Sequence, residues 1–163
     1  SACLVGSEMC IRDSFKLSEP DPLSKFDIVK FNDSEGNKYS ISDFRGKFIL
    51  MNFWATWCLP CRVEMPSLDN LQSEMGDENF QVVIVSVERT PFSKVDDFLR
   101  EIDIKNLKNY HDPTTMVGKH INAKGLPITI LFNKNGKEIG RYNGDFEWDS
   151  KEVVKFITEL KKS

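Results

Sequence analysis

Cys58 and Cys61 stand two residues apart at the point where the hydrophobic pattern of the chain changes period. Before them runs Phe48-Ile-Leu-Met-Asn-Phe-Trp54, an apolar stretch rich in Phe, Ile and Leu that reads as a buried strand. After them Cys61, Met65, Leu68, Leu71 and Met75 mark one face of a helix. Cys58 therefore falls at a strand-to-helix junction. There, unpaired N–H groups and the positive end of the helix dipole favour a thiolate. The second thiol lies one helical turn on, near enough to close a disulfide. An exposed, acidified Cys58 would attack a disulfide sulfur, and Cys61 would resolve the mixed disulfide. Leu59-Pro60 between them sets the helix start.

Blander readings of the pair are half a zinc site or an inert buried couple. A zinc site needs two further Cys or His ligands at short spacing. The two histidines, His111 and His120, are far along the chain and are expected at the surface. No metal is expected. Strand, aromatic-flanked C-x-x-C and helix coincide, which favours dithiol/disulfide exchange. Trp57 is expected beside the disulfide, shaping a docking surface, and Trp54 is expected to be more structural. Arg62 and Glu64 read as solvated helix positions.

The elements that must position these residues follow from the rest of the chain. Its 163 residues suffice for one domain with a core of its own. A net charge of -3 argues against nucleic acid or an anionic membrane surface as partner. No apolar run approaches the ~20 residues of a membrane span, so the chain as it stands is expected to be soluble. It begins at Ser1 without methionine, which leaves room for a removed signal or anchor, or for a cloning remnant. Residues 1–24 lack periodicity and are expected to form a tether or loosely packed arm, with one domain over 25–163. Cys3 and Cys10 lie in that arm. They could pair, stay free or link to another molecule, and Cys3 could end a lipoprotein signal.

Residues 26–31 alternate like a strand, turn at Asn32–Asn37 and return over Lys38–Ile41. Residues 42–46 read as a one-turn connector into the central strand. Pro66 should kink the cysteine-bearing helix, which Gly76-Asp77 ends. Phe80–Val87 is a β-branched run suited to a strand covered on both faces. Thr90-Pro91 should open a helix, with Thr as cap and Pro first in the helix. A short extended segment is expected over 107–110, and a helical turn or two from Asp112-Pro113 to about Ala123. Ile128–Phe132 is a strand, and Asn135-Gly136 a hairpin turn to residues 138–142. Asp149-Ser-Lys-Glu152 has capping-box spacing before a last amphipathic helix.

The run Asn52-Phe-Trp-Ala-Thr-Trp-Cys-Leu-Pro-Cys-Arg-Val-Glu-Met-Pro66 resembles the TlpA/ResA-like group of extracytoplasmic thiol–disulfide proteins within the thioredoxin superfamily. That resemblance implies an α/β thioredoxin fold, a central mixed sheet flanked by helices, with an added N-terminal β-hairpin. It implies that Leu126-Pro127 is the cis-proline that faces the cysteines and leaves the Leu126 backbone free to pair with a substrate strand. It also implies that Leu59-Pro60 tunes the reduction potential. Thioredoxins place an Asp six residues before the first cysteine, where this chain has Asn52. Glu88, at the end of the next central strand, is then the candidate acid, with burial able to raise its pKa. The competing reading of Glu88 is a solvated strand-end charge.

The resemblance implies a reductase of protein disulfides outside the cytoplasm, tethered to the membrane in the full-length protein and monomeric. Its implied substrates are a copper chaperone, an oxidase subunit or apocytochrome c, in cytochrome oxidase or cytochrome c maturation. Electrons would arrive from a membrane thiol carrier. No cofactor is expected beyond the redox-active Cys58–Cys61 disulfide. Two rival functions stay open: a disulfide oxidase or isomerase, and a copper chaperone holding Cu(I) on Cys58 and Cys61. The chaperone would need His111 or His120 to approach the thiols.

Overall fold

The computed structural model describes residues 10–11 and 15–163. Cys3, and the pairing and side chain of Cys10, lie outside what is described. The backbone of β1 (Cys10–Ile11) pairs antiparallel with β2 (Phe15–Lys16). The expected hairpin is present but shorter: a 3₁₀ turn occupies Phe26–Ile28, and only β3 (Phe31–Asn32) and β4 (Lys38–Tyr39) pair. Asp33 accounts for this. Its carboxylate accepts from the N–H groups of Glu35 and Asn37 and so fixes the turn between them.

β5 (Phe48–Trp54) is wholly buried and leads into α1 (Leu59–Met75), which continues through Pro66 and ends at Gly76. β6 (Phe80–Val87) follows, then α2 (Phe92–Glu101), β7 (Asn109–Asp112) and the short α3 (Val117–His120). β8 (Ile128–Phe132) and β9 (Glu138–Asn143) form the hairpin whose turn holds Gly136 at φ +80°. α4 (Lys151–Leu160) closes the described chain. Two caps fall one residue later than expected. Pro91 and Ser150 are the N-caps of α2 and α4, and neither Thr90 nor Asp149 caps; Asp149 instead accepts from Asn70 of α1.

Among the described residues the main sheet runs β4-β3-β7-β6-β5-β8-β9, with β5, β6 and β7 parallel and the outer pairs antiparallel. Both faces are covered, and each strand sorts its residues by period two. Leu50 and Trp54 of β5 pack toward α1 and α4, while Ile49, Met51 and Phe53 face the other core layer. Asn52 shares the α1 face and pairs in register with Thr129 of β8.

The loose arm expected over residues 1–24 needs correction from Phe15 onward. Phe15 and Leu17 are buried, and Phe15 packs its ring against Tyr142, Phe146, Trp148 and Phe156. Ser18 exchanges two backbone hydrogen bonds with Arg141 of β9, at 2.8 and 3.0 Å. Arg141 forms a bidentate, buried ion pair with Glu138 and also donates to Ser24 Oγ and the Ile121 carbonyl. Residues 15–24 are thus a strap laid over the domain. Alternating apolar residues within a polar stretch carried too weak a signal to reveal it.

Candidate active site

α1 begins because Cys58, in an extended conformation, serves as its N-cap, with Pro60 in the first turn where no N–H is missed. The Cys58 sulfur accepts from the Cys61 N–H at 3.3 Å, placing it among the unpaired donors of the helix end. The two sulfurs form a disulfide with Cα atoms 5.3 Å apart. Cys61 is fully buried and Cys58 is 5% exposed, so the first sulfur is more covered than the sequence suggested. What is exposed is the rim: Trp57 at 69%, Leu59 at 68% and Val63 at 65% make an apolar surface around the disulfide.

The Leu126–Pro127 bond is cis. Ile128 pairs with Phe53, so Pro127 lies at the end of the sheet from which the Cys58 loop departs. Pro127 is buried and Leu126 half-buried. Leu126 also lines a groove of about 560 Å³ with Trp57, Glu88, Arg89 and Lys124.

Glu88 is buried rather than solvated. Its two oxygens accept from the Thr56 N–H at 2.8 Å and the Thr56 hydroxyl at 2.6 Å. It thereby ties the end of β6 to the loop that carries Trp57 and Cys58.

Glu64 overturns the expectation of a solvated position. It is 2% exposed, three residues beyond Cys61 on the inner face of α1. Trp148 Nε1 donates to Oε1 at 2.7 Å and Asn52 Nδ2 to Oε2 at 2.8 Å. Asn52 Nδ2 also donates to Thr129 Oγ1 at 2.9 Å. Burial pushes the Glu64 carboxyl from 4.5 up to about 7, with Asp145 adding to the rise and three donors, the Trp148 indole, the Asn52 amide and the Phe146 backbone N–H, opposing it. The signal for this was present in the spacing. Glu64 lies one turn from both Cys61 and Leu68, on the stripe already assigned to the core.

His111 is a second correction. It is buried, its Nδ1 lies 2.7 Å from Ser86 Oγ, and the Phe92 ring meets it edge-on. Burial lowers its pKa, against the pull of Glu88 and Asp112. His120 is half-buried. Arg62 is exposed as expected, with its guanidinium over the Phe98 ring. Trp54 is fully buried and donates to Asn109 Oδ1.

A disulfide across the first turn of a helix that follows a central strand, with a cis-proline leading into the neighbouring strand, defines a dithiol site on a thioredoxin fold. The chain belongs to the redoxin family, whose model matches residues 21–157, and is TlpA/ResA-like within the thioredoxin superfamily. It is 29% identical over 113 residues to the thiol-disulfide oxidoreductase ResA of Bacillus cereus, covering 69% of this chain and 64% of that protein. It is 45% identical over 108 residues to the thioredoxin-like protein YneN of Bacillus subtilis, covering 62% of this chain and 59% of that one. The chain therefore spans under two thirds of the length of these relatives. Among solved structures, a putative thiol:disulfide interchange protein DsbE from Chlorobium tepidum shares the fold. Its TM-score is 0.73 at 24% identity, covering 88% of this chain and 99% of that one.

Proposed function

We propose that this chain is a thiol–disulfide oxidoreductase that reduces disulfides of other proteins outside the cytoplasm. The observation that carries the reading is the Cys58–Cys61 disulfide at the start of α1 with the buried Glu64 carboxyl one turn below it. In the reduced protein the Cys58 thiolate attacks one sulfur of a substrate disulfide, and the other substrate sulfur leaves as a thiolate. Cys61 then loses its proton to Glu64 and attacks Cys58 Sγ. That second step releases the remaining substrate sulfur as thiolate and restores the Cys58–Cys61 bond. Two electrons pass to the substrate, whose departing thiolates take up protons. A carboxyl that exchanges its proton near pH 7 suits this task at neutral pH.

Glu64, rather than Glu88, is the acid in this reading, because Glu64 lies one helical turn from Cys61 on the inner face of α1, whereas Glu88 follows β6 and is tied to Thr56. Trp57, Leu59 and Val63 receive the partner's surface, and Leu126 before Pro127 pairs with its backbone. The substrates are oxidised cysteine pairs of a copper chaperone, an oxidase subunit or apocytochrome c. The name of the ResA relatives supports thiol–disulfide exchange as the class of reaction. A membrane thiol carrier re-reduces the protein. No helix among the described residues is long and apolar enough to cross a membrane. The copper-chaperone alternative would need a histidine at the thiols, and His111 instead packs against Ser86 and Phe92.

The test is the reduction potential of the Cys58–Cys61 couple, equilibrated with dithiothreitol after Cys3 and Cys10 are changed to Ser. A value below about -220 mV, toward the thioredoxin end of the scale, is expected. A value near about -120 mV would make the protein a disulfide donor instead.

A further inference from the structure

Trp148 belongs to none of the sequence motifs, yet it is the residue most firmly held against Glu64. Its indole is fully buried, and Nε1–H donates to Glu64 Oε1 at 2.7 Å. Its backbone N–H donates to Ser67 Oγ at 3.0 Å, and that hydroxyl donates to the Glu64 carbonyl at 2.7 Å. The loop between β9 and α4 is therefore stitched to one turn of α1 through both side chain and main chain. The rings of Phe15, Tyr142 and Phe146 stand 5.9, 5.6 and 5.5 Å from the Trp148 ring and wedge it in place.

The two side-chain donors to Glu64 differ in kind. Asn52 carries an amide that can turn either a donor or an acceptor toward a neighbour, and its Oδ1 is buried with no hydrogen-bond partner. It can serve the ionised or the protonated carboxyl. An indole N–H can only donate, so it favours the carboxylate through a charge-assisted bond. Of the remaining groups around Glu64, the Phe146 backbone N–H, on the same loop as Trp148, also favours the carboxylate, while that loop's Asp145 is like-charged. The strands contribute neutral Asn52 and Thr129, and its own helix contributes the Cys58–Cys61 pair.

We propose that Trp148 is a positioning residue for the thiol chemistry: its indole N–H, wedged by Phe15 of the strap, holds Glu64 as a carboxylate able to take the Cys61 proton. This rests on the reading of Glu64 as that proton acceptor. It makes the N-terminal strap, the 144–150 loop and the disulfide parts of one device.

The experiment has two arms. In the oxidised protein, the Trp148 indole ¹H–¹⁵N resonance, identified by its loss in Trp148→Phe, is followed from pH 5 to 9. It should move with a midpoint near 7, and lie flat in Glu64→Gln. A flat wild-type resonance overturns the proposal. In the reduced protein, with Cys3 and Cys10 changed to Ser, Cys58 is allowed to form a mixed disulfide with an aromatic disulfide reagent. The rate at which Cys61 displaces the second aromatic thiolate is then measured against pH. Trp148→Phe should shift the acid limb of that profile alkaline by about one pH unit, the worth of a charge-assisted hydrogen bond to the carboxylate that takes the proton. It should add no shift in the Glu64→Gln background. No shift, or the same shift without Glu64, overturns the proposal. If the indole titrates but Glu64→Gln leaves the thiol profile untouched, the proton role of Glu64 fails while the Trp148–Glu64 link stands.

Discussion

Glu64 bears a stability consequence apart from its chemistry. Its carboxyl has a higher proton affinity folded than unfolded, so the folded state binds more protons between pH 4.5 and about 7. Stability contributed by the protonated form is full below 4.5 and is lost as pH rises through 7. Over that window the loss is about 3 kcal/mol. Urea unfolding of wild type and Glu64→Gln at pH 5 and pH 8 should therefore show wild type losing stability relative to the variant at the higher pH. A constant difference would mean that the carboxyl is not buried as described. His111 acts oppositely. With its pKa lowered by burial, it stabilises above pH 6.5 and loses that contribution as pH falls. The two residues make the fold's pH response a sum of opposed slopes.

At the scale of elements, those with a full period of evidence were legible. β5, α1, β6, β8, β9 and α4 each carry several turns or pleats of pattern, and the cysteines, the Pro127 position and the Asn135-Gly136 turn are local chemistry. The short strands β3 and β4 were blurred because two residues have no periodicity, and Asp33 decides their turn. Glu64 stands at a core spacing but was masked by its type, since a charged residue on a helix defaults to solvent unless distant partners are known. Asn52 and Trp148 lie 12 and 84 residues away. The strap was hidden for the same reason. Phe15 only makes sense beside Tyr142, Phe146, Trp148 and Phe156. Phe15→Ala should accordingly lower unfolding stability by about 3–5 kcal/mol, as for other buried Phe truncations. A loss under about 1 kcal/mol in denaturant titration would return residues 15–24 to the status of a loose arm.

Across the whole molecule, three of the six large exposed apolar side chains among the described residues, Trp57, Leu59 and Val63, lie at the disulfide rim, where a partner would dock. The others are Leu23, Ile28 and Met116. Charge is handled differently on the far side of β9, where Arg141 and Glu138 are buried as a pair and Arg141 also holds Ser24 of the strap. The main sheet has two open margins. β4 is two residues long, too short to template another chain, whereas β9 has six residues. Ser18 occupies the outward backbone groups of Arg141 in the middle of β9. The strap thus covers part of that margin as well as wedging Trp148. A chain starting after Pro20 would bare that margin to a second copy, and sedimentation across a concentration series should show it associating while the longer chain does not. Equal behaviour of the two would mean that β9 is protected by its own twist and side chains alone.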